Sequence, residues 1–152
     1  MSLKDRISED IKAAMKSKDK VRLETVRSIK KVLLEKEVSA RGEGQEGLTE
    51  AQEMEVLMQV AKQRRDSIVQ YRQAGREELA QQEAAELAIV EEYLPQQLSD
   101  AEIEAVVIEI MAEVGATSAK DMGKVMAPAM QRLKGQADGK KVQEIVKAQL
   151  AG

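Results

Sequence analysis

Several side chains that carry much of protein chemistry are missing from this sequence of 152 residues, which contains no cysteine, histidine, tryptophan or phenylalanine. Without cysteine there is neither a disulfide nor a thiol nucleophile, and without histidine the common zinc and transition-metal sites lose their main ligands. We therefore expect no metal and no cofactor. We also expect no catalytic residue, because Ser2, Ser99 and Ser118 all stand where helix caps are predicted.

Aromatic residues and long apolar runs are scarce as well. Tyr71 and Tyr93 are the only aromatic residues, so the core has to be built from Leu, Ile, Val, Met and Ala. The first residues are charged from Lys4 onward, and no apolar stretch has the length of a signal peptide or a transmembrane helix. These features predict a soluble protein of the cytoplasm that has no membrane partner.

Charge is distributed unevenly along the chain. Residues 1–41 carry a net charge of +5, residues 42–95 carry −7, residues 96–115 carry −5 and residues 116–152 carry +4. The basic ends either pair with the acidic middle inside the fold or offer separate basic surfaces, and for the N-terminal segment both alternatives stay open. Seven bases of the second and third helices have acids close by in sequence, so we expect ion pairs within these helices: Lys20, Arg27, Lys31, Lys62, Arg65, Arg72 and Arg76.

The spacing of apolar residues is helical nearly everywhere, which predicts an all-α protein. In the first part of the chain, Pro95 cannot continue a helix, and we place a domain boundary there. Residues 1–95 are predicted to form a domain like a four-helix bundle, whose last helix ends near Tyr93. Its first and third helices are predicted to start at the capping residues Ser2 and Thr49, the second to follow Asp19, and the fourth to start at about Glu77.

Residues 96–152 are predicted to form a small domain of three helices. Ser99-x-x-Glu102 and Ser118-x-x-Asp121 have the spacing of capping boxes, and Asp138 is a plausible N-cap of the last helix. Pro128 falls inside the middle helix of this domain. Because proline removes an amide donor and its ring clashes with the preceding turn, we expect this helix to kink or restart there.

The most distinctive stretch is Lys134-Gly-Gln-Ala-Asp-Gly-Lys-Lys141, a basic segment bracketed by glycines just before the last helix. It is too short for a GxxxxGK[ST] phosphate loop and lacks its Ser/Thr, which argues against a nucleotide triphosphate. A helix N-terminus with adjacent lysines still favours a phosphate group. The alternative is a solvated helix surface. The candidate RNA-binding residues are Lys120, Lys124, Arg132, Lys134, Lys140 and Lys141.

Three segments resemble the YqeY family: Glu92-Tyr-Leu-Pro-Gln-Gln-Leu-Ser-Asp100, Lys120-Asp-Met-Gly-Lys-Val-Met126 and Lys134-Gly-Gln-Ala-Asp-Gly-Lys140. From about residue 97 on, the chain is also similar to the tail domain of GatB, a subunit of the glutamine-dependent amidotransferase that remakes misacylated tRNA. The resemblance implies a helical N-terminal bundle and a three-helix C-terminal domain. It also implies basic positions at Lys120, Lys124, Lys134 and Lys140, whereas Arg132 and Lys141 are added from charge alone.

Three functions follow from these patterns. The first is a non-catalytic accessory protein that binds tRNA or another structured RNA, with an amidotransferase or a synthetase as a possible protein partner. The second is a protein–protein adaptor that docks through the acidic helices of residues 77–109. The third, which the family resemblance implies, is a part of a carbon–nitrogen ligase that uses glutamine as amide donor. The sequence shows neither a glutaminase nucleophile nor an ATP site, which argues against catalysis by the chain alone.

Overall fold

The computed structural model describes residues 1–151, which fold into two compact units: residues 1–94 and the residues from 95 onward. All the regular secondary structure in the described residues is helical, so the predicted all-α class is confirmed. None of these helices is long and apolar enough to cross a membrane. The helices are α1 (Leu3–Ser17), α2 (Lys20–Gly42), α3 (Glu50–Gln73), α4 (Glu77–Glu91), α5 (Asp100–Val114), a 3-10 turn (Ala119–Asp121), α6 (Met122–Arg132) and α7 (Gly139–Ala151).

Side chains cap the first three helices as their sequence signals predict. Ser2 Oγ accepts a hydrogen bond from the Asp5 amide at 3.1 Å, and Asp19 accepts one from the Arg22 amide at 3.1 Å. Thr49 and Gln52 form a complete capping box at the start of α3. Each cap satisfies an amide that the first helical turn leaves without an intrahelical partner, which stabilises the helix start by about 1 kcal/mol.

The core of the N-terminal unit is aliphatic. Side chains from all four helices pack together there, and each is at most 3 % exposed: Ile7 of α1, Val26 and Ile29 of α2, Leu57 of α3 and Val90 of α4. Tyr93 joins this core beyond the end of α4. At about 1.5–3 kcal/mol for each fully buried side chain, this cluster is the main source of the unit's stability.

Tyr93 was predicted to lie in the last turn of α4, but the helix ends at Glu91. The interactions of Tyr93 explain why the chain leaves the helix early. Its ring is buried, its hydroxyl donates a hydrogen bond to Asp10, and the guanidinium of Arg6 lies 4.8 Å from the ring centroid. Because Asp10 and Arg6 both belong to α1, these contacts fix the chain segment after α4 against α1.

The expected pairing of charges within helices is wrong for α3. Arg64 bonds to Glu83 and Glu86, and Arg65 approaches Glu91 at 4.0 Å, so these pairs join α3 to α4. Arg72 likewise reaches Glu77 at the start of α4. The two helices pack as neighbours. Neighbouring helices therefore provide partners that a search along one helix misses.

The C-terminal unit has its own core, in which α5, α6 and α7 meet. Ile103, Val107 and Ile110 of α5 face Val125 of α6 and Val146 of α7, and all five side chains are buried. At the start of α5, Ser99 and Glu102 form the predicted capping box. Half-buried methionines fill the remaining volume around this core: Met111, Met122 and Met126.

Pro128 does not restart the middle helix, because α6 runs unbroken from Met122 to Arg132. The amide that proline removes would have paired with the carbonyl of Lys124, one turn earlier. Lys124 is exposed, so water can reach this part of the helix. The neighbouring Ala129 is fully buried, which keeps this stretch of α6 packed on the core.

Candidate nucleic-acid interface

The basic turn, Lys134–Lys141, is held in place by the segment that precedes α5. The side-chain amide of Gln97 donates a hydrogen bond to the Gly135 carbonyl at 2.6 Å, and the Leu98 amide donates one to the Gln136 carbonyl at 2.9 Å. Gly135 is buried and has a φ of +80°, a conformation that favours glycine. The first part of the turn, up to Asp138, therefore has a defined backbone although it lies outside any helix, and the last part, with Lys140 and Lys141, is the first turn of α7.

The cations of this turn differ in how far the protein already neutralises them. Lys134 and Lys140 are exposed and form no ion pair with any described residue. Lys141 lies 3.5 Å from Asp100 at the start of α5, and both side chains are well exposed. An exposed pair of this kind contributes little to stability, so a stronger anion can compete for Lys141.

The other three candidate residues lie upstream of the turn. Lys120 belongs to the 3-10 turn, which packs against both α6 and α7, and its side chain is exposed. Lys124 approaches Asp121 at 3.7 Å. Arg132 bonds to Glu113 at 3.0 Å and lies 3.6 Å from Glu109, so two carboxylates of α5 already offset much of its charge.

Asp138 occupies the position expected of an N-cap, because its carbonyl accepts the first helical bond of α7 from the Val142 amide at 3.0 Å. Its carboxylate, however, accepts no hydrogen bond from an amide of the described residues, so the expected side-chain cap does not form. The first amides of α7 are therefore not occupied by this carboxylate. This removes the main objection to an anion at the helix start, where the amides and the helix dipole favour negative charge.

One further base belongs to this surface and was missed in the sequence. Lys147 lies seven residues after Lys140 on α7, which places both on one side of the helix about two turns apart. Lys147 is exposed and has no ion-pair partner among the described residues. The spacing of seven residues between the two lysines is the sequence signal that could have identified Lys147. Glu144 lies between the two lysines on the same side and weakens the local positive potential.

Asp121 shows how the backbone near Lys120 is stabilised. Its carboxylate accepts hydrogen bonds from the Thr117 amide at 2.9 Å and from the Ser118 amide at 3.3 Å. These two bonds, the Thr117 bond first, lower the pKa of Asp121 below its ordinary value. Since its carboxylate is used in this way, Asp121 acts as a structural residue that fixes the loop before α6.

Among residues 1–151, no three acidic side chains come together in a group that could hold a metal ion. The arrangement that does occur is a set of exposed lysines around a rigid turn. It defines an all-helical protein of two units, in which the most distinctive surface of the second unit suits the binding of anions.

Comparison with known proteins then gives the family. The model of the "Yqey-like protein" family matches residues 4–150, which is nearly the whole chain. The chain therefore belongs to the YqeY family, as its motifs predicted.

Two relatives that match much of this chain share one name. The chain is 32% identical over 110 residues to "Altered inheritance of mitochondria protein 41, mitochondrial" of Lachancea thermotolerans. The aligned region covers 71% of this chain and 57% of that protein. The chain is 30% identical over 152 residues to the protein of the same name from Pyrenophora tritici-repentis, covering 94% of this chain and 80% of that protein. The chain thus spans little more than half of the Lachancea relative. The names of these relatives mention mitochondria but no ligand or reaction.

Proposed function

We propose that this protein is a non-catalytic accessory protein that binds the backbone of structured RNA, most simply tRNA, through the basic turn. The observation that carries the proposal is the pair Lys134 and Lys140, which are exposed, have no ion-pair partner among the described residues, and flank a turn that Gln97 holds in place. Lys120 and Lys147 extend the same kind of charge to neighbouring elements. Arg132 is a weaker contributor because two carboxylates already pair with it, whereas Lys124, like Lys141, has one exposed pair for which a stronger anion can compete.

The composition supports recognition of the RNA backbone. Proteins that bind single strands stack the bases on aromatic side chains, but residues 95–152 contain no aromatic residue. Lysines, by contrast, contact phosphates without reading the base sequence. Folded RNA is recognised largely by its shape and through its phosphates and 2′-hydroxyls. We therefore expect the protein to prefer a folded RNA to a flexible single strand.

A salt titration of affinity tests this proposal. Affinity for bulk tRNA and for duplex DNA is measured between about 50 and 200 mM salt, where each phosphate contact contributes roughly 0.7–0.9 to the slope of log K against log salt. The variant Lys134→Ala/Lys140→Ala/Lys141→Ala should bind tRNA more weakly and reduce the slope by about 2–3. The matched control is Lys36→Ala/Lys62→Ala/Arg76→Ala, which removes the same charge from exposed bases of the N-terminal unit.

Wild-type affinity in the turn variant would reject the basic turn as the site. Equal, weak binding of tRNA and DNA would reduce the proposal to a generic basic surface. Helicity measured by circular dichroism should be unchanged in both variants, because the substituted side chains are at the surface.

The alternative, an adaptor that docks through the acidic helices, is less well supported. Many acids between residues 77 and 109 already pair with bases of the same unit: Glu77, Glu83, Glu86, Glu91, Asp100 and Glu109. The charge that these helices offer a partner is therefore smaller than the sequence indicates. Capture of a defined protein that survives nuclease treatment would favour the adaptor.

A role beside an amidotransferase or a synthetase belongs to the same proposal, since both kinds of enzyme act on tRNA. The purified chain should release no ammonia from glutamine, and measurable release would overturn the non-catalytic assignment. The place of action in the cell is also a proposal. The composition favours the cytoplasm, whereas the names of the relatives describe them as mitochondrial.

A further inference from the structure

The highest density of positive charge lies in the N-terminal unit. Residues 12–36 contain nine Lys/Arg and three Asp/Glu, a net charge of +6. The segment spans the second half of α1, the turn to α2 and most of α2, and the two helices pack against each other. These 25 residues therefore carry a higher net charge than the last 37 residues of the chain, whose net charge is +4.

Most of this charge has no partner within the fold. In this segment only Arg22 forms ion pairs in the described structure, with Asp19 at 3.6 Å and with Glu92 at 3.0 Å. The expectation of pairs within α2 is therefore wrong for Lys20, Arg27 and Lys31, although Glu24 and Glu35 are near them in sequence. We name seven exposed and unpaired bases the basic hairpin: Lys12, Lys16, Lys18, Lys20, Arg27, Lys30 and Lys31. Lys36 is also exposed and unpaired, but it comes five residues after Lys31 and so lies on another side of α2, which makes it suitable as a control.

The helical geometry orients several of these bases away from the core. Lys20, Arg27 and Lys31 follow one another at steps of seven and four residues, so they share a stripe of α2 about 16 Å long. The core side of α2 carries Val26 and Ile29, both 0% exposed. The basic stripe is thus on the solvent side of a helix whose apolar side is already used.

The first helix continues this surface. Arg27 Nη2 lies 3.9 Å from Met15 Sδ, which places the stripe of α2 next to the outer part of α1. Lys12 and Lys16 are one turn apart on α1, and Lys18 ends that helix with a φ of +59°. The turn between the helices therefore presents lysines from α1, the turn and α2 at one end of the hairpin.

We propose that the basic hairpin is a second surface for the phosphate backbone of structured RNA, separate from the basic turn. This inference rests on the proposed function, since it assumes that the protein binds RNA. The hairpin then provides the larger electrostatic contribution, because it has more unpaired cations. Binding by both surfaces makes the second contact intramolecular, which raises affinity without any new type of interaction.

The distribution of apolar residues favours RNA over a membrane. A helix that lies in a membrane surface needs a free apolar face beside its bases. The apolar face of α2 is buried in the core instead. Only two exposed aliphatic side chains, Leu34 and Val38, line a shallow groove beside the cations, and two side chains do not make the apolar face that a membrane-bound helix buries.

The same distribution argues against an acidic protein as the partner. Protein interfaces usually have a central cluster of aromatic or large apolar side chains that becomes fully desolvated. Near the cations of the hairpin, the exposed apolar residues are aliphatic or methionine side chains (Met15, Val21, Leu34 and Val38), and no aromatic residue lies between residues 1 and 70. Extended positive charge without such a cluster is typical of backbone contacts to a nucleic acid.

Affinity measurements on three matched variants test the inference. The hairpin variant is Lys16→Ala/Lys20→Ala/Lys31→Ala, the turn variant is the one described above, and the control is again Lys36→Ala/Lys62→Ala/Arg76→Ala. All three lose the same charge. We expect the hairpin variant to bind tRNA about tenfold or more weakly, with a salt slope lower by about 2–3. Replacement of the same three lysines by arginine should retain the wild-type affinity.

The outcomes separate this inference from the proposed function. Wild-type affinity in the hairpin variant together with a loss in the turn variant overturns the hairpin surface and leaves the basic turn intact. A loss in the hairpin variant alone supports the hairpin and rejects the basic turn. If the wild-type chain binds no tRNA but binds phosphatidylserine vesicles through these lysines, the inference is wrong and the surface is a membrane contact.

A second measurement does not depend on the variants. Bound tRNA should slow the chemical acetylation of Lys16, Lys20 and Lys31 in the wild-type protein, while Lys36 and Lys62 keep their rates. Equal rates with and without saturating tRNA would overturn the inference even if a variant fails to fold.

Discussion

Removing the hydroxyl of Tyr93 tests the account of the N-terminal unit most sharply. In Tyr93→Phe, the buried ring and its contact with Arg6 are kept, and the hydrogen bond to Asp10 is lost. A hydrogen bond to a charged group contributes about 1.5–3 kcal/mol. Because Asp10 is half-buried and water can replace the hydroxyl, we expect a loss of about 1.5 kcal/mol near pH 8. With a slope of about 1–2 kcal/mol/M, the urea midpoint of this unit falls by roughly 1 M.

The pH dependence of this difference is a stricter test. Burial, followed by the hydrogen bond to Asp10, raises the pKa of Tyr93 well above its ordinary value of 10.0. Below about pH 10 the tyrosine is protonated in both states, so its contribution to stability is constant. Above that pH the unfolded chain ionises first, and the wild type loses about 1.4 kcal/mol by pH 11 relative to the variant.

We therefore expect the urea midpoints of the wild type and Tyr93→Phe to differ near pH 8 and to converge near pH 11. Far-UV circular dichroism during urea titration measures both midpoints; it follows the helices of both units, and only the transition of the N-terminal unit should differ between the two proteins. All other titratable groups are common to both proteins, so their contributions drop out of the difference. Equal midpoints at pH 8 would refute the hydrogen bond, and a difference that persists unchanged to pH 11 would refute the raised pKa.

Other predictions concern the turns. Gly135→Ala should destabilise the C-terminal unit by about 1–2 kcal/mol because of its φ of +80°, and should weaken tRNA binding without changing any charge; unaltered stability to urea would contradict the strain. Gln97→Ala should cost about 1–2 kcal/mol, because it removes the bonds to the carbonyls of Pro95 and Gly135, and a thermal melt measures the loss. Lys18→Gly should raise the melting temperature, since a φ of +59° strains lysine, and a lower melting temperature would refute this reasoning. Asp121→Asn should lower the stability of the C-terminal unit at neutral pH; because the pKa of Asp121 is lowered on folding, the wild type should lose this advantage as the pH falls below about 4.

Local signals predicted the helix starts well, because a cap is a contact between residues three positions apart. Ser2, Thr49 and Ser99 were all read from such spacings, and each forms its bond. The end of α4 could not be read in this way. It depends on Tyr93 reaching Asp10, 83 residues away in the chain, and no periodicity within α4 reports such a contact.

The charged residues show the same limit. Their number along the chain was evident, but whether a base is free depends on which helix becomes its neighbour. Arg132 was included in the candidate site from charge alone, yet two carboxylates of α5 hold it. Lys20, Arg27 and Lys31 were expected to pair within α2, whereas the structure leaves all three without an ion-pair partner among the described residues. Only the packing of helices decides between these cases.

The positions of the two tyrosines have an optical consequence. Both rings belong to the N-terminal unit, and the residues from 95 onward contain no aromatic side chain. Tyrosine emission therefore follows the unfolding of the first unit alone, whereas far-UV circular dichroism follows the helices of both. A comparison of the two signals in a single denaturation shows whether the units unfold together or in succession, without any added label.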